Sequence, residues 1–225
     1  MPDAVIGLVT IGQSPRVDVV PDMAAILGPG AEIREAGALD GLARSEIDAL
    51  VPTGDDEILV TRLRDGTSVF LGKPKIVHLV EARIAALEGD GATLTALLCT
   101  GAFPRLRASR PFIQPQPLLL GLLRAMSWPG RLGVLTPSVP HVPQTQARWR
   151  RDGFDAVVAP LSPYEEEDAA AVRRAASAMK HGGAGLIVMD CMGFRRKTRD
   201  ELRALTGVPV LLANLLLARV LAEAC

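Results

Sequence analysis

The residues in this chain best suited to chemistry are two cysteines. Leu97-Leu98-Cys99-Thr100-Gly101-Ala102-Phe103 and Val188-Met189-Asp190-Cys191-Met192-Gly193-Phe194 share a pattern: an apolar run, a cysteine, then a small residue and a phenylalanine. A short apolar run bounded by turn residues reads as a buried strand, so each thiol stands where a strand ends and a turn begins. In open parallel sheets, ligands bind outside the carboxyl ends of the strands. Two thiols approaching a shared site from opposite sides form the arrangement a two-base racemase needs. One thiolate removes the proton from the substrate's α-carbon, and the other thiol delivers a proton to the opposite face. A free thiol ionises at about pH 8.5, and N–H groups at a following helix N-terminus favour the thiolate. A lone buried cysteine is more often a small hydrophobe. Two in matched positions point to function.

A second matched pair of segments follows the first strand of each half. Val5-Ile6-Gly7-Leu8-Val9 leads into Thr10-Ile11-Gly12-Gln13-Ser14-Pro15-Arg16, and Gly133-Val134-Leu135 leads into Thr136-Pro137-Ser138. Gly12 permits a tight turn, Ser14 is expected to cap a helix, and Pro15 suits its first position. The N–H groups beyond, with Arg16 and Gln13, predict a cradle for a carboxylate. Thr136 and Ser138 are expected to hold a second polar end of the ligand. Asp190 orients the thiol or a neighbouring donor, or caps the next helix. Of the three histidines only His141 is placed near a pocket, and none has metal-ligand spacing. Neither a dinucleotide fingerprint nor a phosphate-binding loop occurs, so no metal or cofactor is expected. Arg195-Arg196-Lys197 reads as a solvated helix start, and Cys225 as a bystander.

The elements that position these residues alternate along the chain. Strands are predicted at 5–10, 33–36, 93–99, 131–136, 156–159, 186–190 and 208–212. Helices are predicted at 15–27, 44–51, 75–87, 116–126, 142–152, 165–181, 198–205 and 214–223. Continuous apolar strands separated by helices indicate an α/β protein with parallel sheets buried on both faces. The ordered correspondences suggest a duplication: a first lobe of 1–115 plus 214–225, and a second of 116–213. Residues 58–71, centred on Asp65-Gly66, read as a β-hairpin inserted in the first lobe, with a two-residue turn. Exposed apolar hairpins are usually covered, so this one is expected to serve as a homodimer contact rather than as a lid or an edge decoration.

Composition bounds the partners. The chain has 225 residues, 48% of them hydrophobic, and 25 Lys+Arg balance 25 Asp+Glu. Such a chain buries a core, and its neutrality leaves no electrostatic footprint for nucleic acid. No apolar run reaches transmembrane length, and the N-terminus, with Asp3 and no basic leader, does not read as a signal peptide. Three scattered cysteines make no disulfide framework, so a cytoplasmic location with reduced thiols is expected. The expected partner is a small carboxylate.

Thr-Ile-Gly-Gln-Ser-Pro-Arg at 10–16, the two cysteine segments and the closing Val-Pro-Val-Leu-Leu-Ala-Asn at 208–214 together resemble the AroM family. That bacterial group, named for its gene's neighbourhood to aromatic amino-acid biosynthesis genes, is similar in turn to the aspartate/glutamate/hydantoin racemase superfamily. The resemblance implies two pseudo-symmetric lobes, each a four-stranded parallel sheet flanked by helices, with one cysteine after the third strand of each. It further implies a cofactor-independent racemase or isomerase with Cys99 and Cys191 as the catalytic pair. Thr100 matches the small polar residue whose backbone N–H helps bind the substrate carboxylate. With Gly101, Met192 and Gly193 it completes the candidate substrate-binding set of Thr10, Gly12, Gln13, Ser14, Arg16, Thr136 and Ser138. Met192 departs from the Thr usual in amino-acid racemases, and the hairpin is no part of the basic lobe. Two alternatives stand beside this reading: a single-cysteine isomerase or decarboxylase of the same fold, and a non-catalytic metabolite-binding protein linked to aromatic amino-acid metabolism.

Overall fold

The computed structural model describes residues 4–165 and 168–225. In chain order, the elements are β1 (Ala4–Thr10), α1 (Val20–Leu27), β2 (Ala31–Gly37), α2 (Arg44–Asp48), β3 (Ile58–Arg62), β4 (Ser68–Gly72), α3 (Lys73–Gly89), β5 (Leu94–Leu98), β6 (Phe112–Ile113) and α4 (Pro115–Ala125). There follow β7 (Arg131–Thr136), a 3-10 turn (Val139–His141), α5 (Val142–Arg151), β8 (Ala156–Pro160), α6 (Ala169–His181), β9 (Ala184–Met189), α7 (Arg196–Thr206), β10 (Val210–Leu212) and α8 (Ala213–Glu223). The chain divides into two compact units: residues up to Leu118 with Leu217–Cys225, and Leu119–Leu216. No helix among the described residues is long and apolar enough to cross a membrane.

Each unit is built on one four-stranded sheet, ordered β2-β1-β5-β6 in the first and β8-β7-β9-β10 in the second. All pairings in both are parallel. The central strands are apolar throughout because both faces are covered: β5 is buried at every position, and β7 at all but its first. The two sheets also share a topology. From its first strand the chain turns outward to one side, and from its third strand to the other. The crevice beyond the carboxyl ends of those two neighbouring strands is the switch point, where α/β sheets bind ligands. Register places the candidate residues there. Thr10 pairs with Leu98, so Cys99 follows directly beside the β1 loop. Leu135 pairs with Met189, and the Asp190 N–H donates to the Leu135 carbonyl (2.9 Å), so Thr136 lies beside Asp190 and Cys191.

Three local expectations are corrected. The first helix begins at Val20 rather than at residue 15. The donors expected to open it face elsewhere: the Ser14 N–H and hydroxyl reach the Asp40 carboxylate (2.9 and 2.5 Å), and the Arg16 N–H reaches Glu35 (2.7 Å). Ser14 is therefore no helix cap. Strands β3 and β4 do form an antiparallel hairpin, but its loop has three residues. The Leu63 N–H donates to the Thr67 carbonyl (2.8 Å), the Gly66 N–H donates to the Leu63 carbonyl (3.0 Å), and only Gly66 takes a positive φ. Asp65 instead accepts from the Thr67 N–H and hydroxyl, which stabilises an ordinary turn closed by a left-handed glycine. The short strand β6 was not expected, since two residues carry too little periodicity to read. The predicted start of the sixth helix falls partly on residues 166–167, outside the described residues; α6 begins at Ala169, capped by Asp168.

The hairpin's inward side chains, Leu59, Leu63 and Leu71, are buried in the core of the first unit with Val9, Ile11, Leu39, Ile76 and Val80. The apolar surface that suggested a partner is thus covered within the unit, apart from Phe70, which is 41% exposed.

Candidate functional site

In the first unit the loops after β1 and β5 carry the candidate residues, and the hairpin holds both loops. Gln13 accepts the Arg64 N–H through its side-chain oxygen (2.9 Å), and the Arg64 guanidinium donates to the Ser14 carbonyl (2.6 and 2.9 Å). A Cβ on Gly12 would collide with the Thr61 side chain and stand 2.5 Å from the Arg62 carbonyl. One on Gly101 would stand 2.9 Å from Leu59. Glycine at both positions lets the hairpin lie directly on these loops. Lys73, at the hairpin's base, donates to the Ala102 carbonyl (2.7 Å) and pairs with Glu57. The Cys99 sulfur, half-buried, accepts the Gly101 N–H (3.4 Å). Thr100 is buried beside it.

Arg16 is only 3% exposed, and its guanidinium forks onto the Asp18 carboxylate (2.8 and 2.9 Å) while also donating to the Thr10 hydroxyl oxygen (3.0 Å). Thr10 accepts the Gly12 N–H too (3.2 Å), so one small network fixes the whole β1 loop. Burial pushes the Asp18 carboxyl up, but the Arg16 hydrogen bond and charge outweigh it and hold the group below its usual range. Burial raises Glu35, and the charges of Asp18 and Asp40 add to that against the Arg16 contacts.

In the second unit the Thr136 hydroxyl shares a hydrogen bond with Thr145 of α5 (3.0 Å), and Ser138 bonds Nδ1 of the buried His141 (2.8 Å). Asp190 turns its carboxylate away from the helix-capping role: it pairs with Arg148 and accepts the Trp149 indole N–H (2.9 Å), both from α5. Cys191 is buried, and its sulfur lies 3.7 Å from the Tyr164 hydroxyl. The Tyr164 ring rests where a side chain on Gly193 would be, with ring and hydroxyl atoms 2.6–2.9 Å from that position. Met192 and Phe194 are buried, and their carbonyls accept the two hydrogen bonds of the Asn214 side-chain amide (2.8 Å each). Arg195, Arg196 and Lys197 are exposed at the start of α7, as read from the sequence.

The fold thus brings the β1-loop residues beside Cys99 and Thr100 in one unit, and Thr136 beside Asp190 and Cys191 in the other. Four contributors were missed: Asp40, Tyr164, Arg148 and Asn214. Each lies in a different segment from the loop it holds. Only Asn214, inside the closing motif, had a sequence signal that could have flagged it. Among the described residues, no group of three His, Cys, Asp or Glu side chains forms a metal-ligand set.

Comparison with known proteins adds two findings. A family model described as AroM protein matches residues 6–225. No curated protein matches at a significant level. Among solved structures, the chain is similar to allantoin racemase from Klebsiella pneumoniae (17% identity, TM-score 0.63, 99% of this chain and 87% of that one). It is similar to arylmalonate decarboxylase (16%, 0.63, 98% and 91%). It is also similar to the maleate isomerase Iso from Pseudomonas putida S16 (14%, 0.64, 98% and 92%). At these identities the likeness is one of fold.

Proposed function

The chain belongs to the AroM family, and from that premise we propose that it is a cofactor-independent racemase or isomerase acting on a small carboxylate-bearing carbon acid, such as an amino acid or a hydantoin. Cys99 and Cys191 form its acid–base pair. The observation that carries the reading is the repeated placement of a thiol. In each unit a cysteine follows the third strand of the sheet, beside the loop of the first strand, at the topological switch point. Solved structures similar in fold include allantoin racemase, maleate isomerase and arylmalonate decarboxylase.

In the proposed reaction one thiolate takes the α-proton, the S–H bond forms as the C–H bond breaks, and the electron pair passes into the carboxylate-stabilised carbanion. The other thiol then gives its proton to the opposite face. The Thr10–Ser14 loop, with Thr100 and Gly101, and the Thr136–Ser138 loop, with Met192 and Gly193, hold the polar ends of the substrate. The site invoked needs no group beyond these side chains and backbone N–H donors. The reading includes a homodimer, for which Phe70 is the remaining apolar contact.

The unequal surroundings of the two thiols favour one second reading. Cys191 has a phenol against its sulfur, which suits a single-cysteine isomerase or decarboxylase whose chemistry rests on that thiol.

Proton NMR in D2O, with the protein and a pool of amino acids, hydantoins and dicarboxylates, tests the proposal. Selective loss of one α-proton signal, abolished in both Cys99→Ser and Cys191→Ser, is the expected result. Loss that survives Cys99→Ser alone selects the single-cysteine reading. Full turnover in the double variant overturns both.

A further inference from the structure

The environment of Cys191 assigns a role to a tyrosine that no motif marks. Asp190 precedes the thiol and is almost fully buried, with 2% of its side chain exposed. A carboxylate one residue away disfavours a second negative charge on sulfur. Arg148 pairs with that carboxylate and offsets its charge. The Tyr164 hydroxyl lies 3.7 Å from the sulfur, within hydrogen-bond range for an O–H and a sulfur. Its seat is specific: the ring occupies the space of an absent side chain at Gly193, two residues after the cysteine. The loop that follows is held in turn by Asn214 through the Met192 and Phe194 carbonyls.

We infer that Tyr164 is a working partner of Cys191: its O–H donates to the sulfur, stabilises the thiolate, and stays protonated throughout, so the proton leaving the thiol passes to substrate or solvent. The inference rests on the reading of Cys191 as a reacting thiol, and it accounts for the small residue at 193. Any side chain there would push the phenol off the sulfur. Among the described residues of this unit, titratable or charged groups on neighbouring segments include Asp190 and Arg148, His141 on Ser138, Glu165 and Asp168 after Tyr164, and Arg195, Arg196 and Lys197 at the start of α7.

The test is the pH dependence of iodoacetamide alkylation of the full chain, with modification at Cys191 and Cys99 quantified separately by peptide mass spectrometry. Tyr164→Phe removes only the hydroxyl. The expected result is a Cys191 midpoint raised by about one pH unit and a roughly tenfold lower alkylation rate near neutrality, with Cys99 unmoved. Gly193→Ala, which keeps the hydroxyl but displaces it, is expected to shift the Cys191 midpoint the same way. It decides the matter if the phenylalanine variant does not fold. A Cys191 midpoint unchanged or lowered in a variant with an unaltered melting curve overturns the inference. Turnover is a separate readout: a Cys191→Ser protein that keeps full activity removes the catalytic reading, while the alkylation midpoint still decides whether Tyr164 holds the thiolate.

Discussion

Replacing Arg148 by methionine is the most informative single perturbation of the second unit. Arg148 has 11% of its side chain exposed and Asp190 only 2%, and the pair joins α5 to the end of β9, one residue before Cys191. Removing one partner of a buried ion pair leaves an uncompensated charge and typically costs about 3–5 kcal/mol. Here the Trp149 indole N–H still donates to the same carboxylate oxygen, so the cost falls at the lower end, about 3 kcal/mol. The other oxygen, Oδ1, is buried with no hydrogen-bond partner among the described residues, so nothing nearby takes over. With a urea dependence of at most about 3 kcal/mol per molar, the unfolding midpoint drops by about 1 M or more. Asp190→Asn costs less, about 1.5–3 kcal/mol for the lost charge-assisted bond, because Arg148 retains an edge towards water. The double variant buries no charge, and its loss is expected to fall short of the summed single losses by at least about 1.5 kcal/mol. Urea unfolding at neutral pH, followed by the fluorescence of the second unit's Trp128 and Trp149, measures all three. Ordinary surface changes fall within roughly ±0.5 kcal/mol, so an Arg148→Met protein within about 1 kcal/mol of the parent, or strict additivity in the double variant, refutes the reasoning.

Four further outcomes follow from the first unit. Asp18 is held below its usual value of 3.8, so its contribution to stability is complete above that pH and is lost as pH falls through the lower folded value. Asp18→Asn should therefore destabilise the protein in melts at neutral pH and cost progressively less as pH falls below 3.8. Glu35 is raised above 4.5, so ionising it penalises the fold as pH rises past that value; Glu35→Gln, which keeps an acceptor for the Arg16 N–H, should flatten that decline. Gly12→Ala places a methyl against Thr61 and the Arg62 carbonyl, and should cost about 1–3 kcal/mol and open the hairpin to trypsin at Arg62 and Arg64. Unchanged digestion would show that the hairpin is not seated on this loop. Light scattering should give twice the 23.9 kDa chain mass, falling to one chain in Phe70→Glu; a single-chain mass in the parent removes the dimer.

Much of this architecture was readable without coordinates, because its signals are local. An apolar run too short for a helix marks a strand buried on both faces, and β1, β5, β7 and β9 all follow that rule. The positions of Cys99 and Cys191 came from the same signal, since a residue that ends such a run stands at a strand end. Local chemistry misled where a longer-range partner competed for the same donors. Ser14 has every feature of a helix cap, yet Asp40, 26 residues away, takes both its N–H and its hydroxyl. Asp65-Gly66 reads as a two-residue turn, but the Asp65 carboxylate captured Thr67 and left the positive φ to Gly66 alone.

Residue type within a few positions sets the alternation of elements, the repeat and the strand-end thiols. The company those residues keep is set by long-range packing alone. Tyr164 meets Cys191 across 27 residues, Arg148 meets Asp190 across 42, and Gln13 meets the hairpin's Arg64 across 51. Contacts at such separations depend on sheet order and loop closure, which no local pattern encodes. The glycines at 12, 101 and 193 are legible as flexible residues in a sequence, and only in the fold do they become the spaces that a hairpin and a phenol fill.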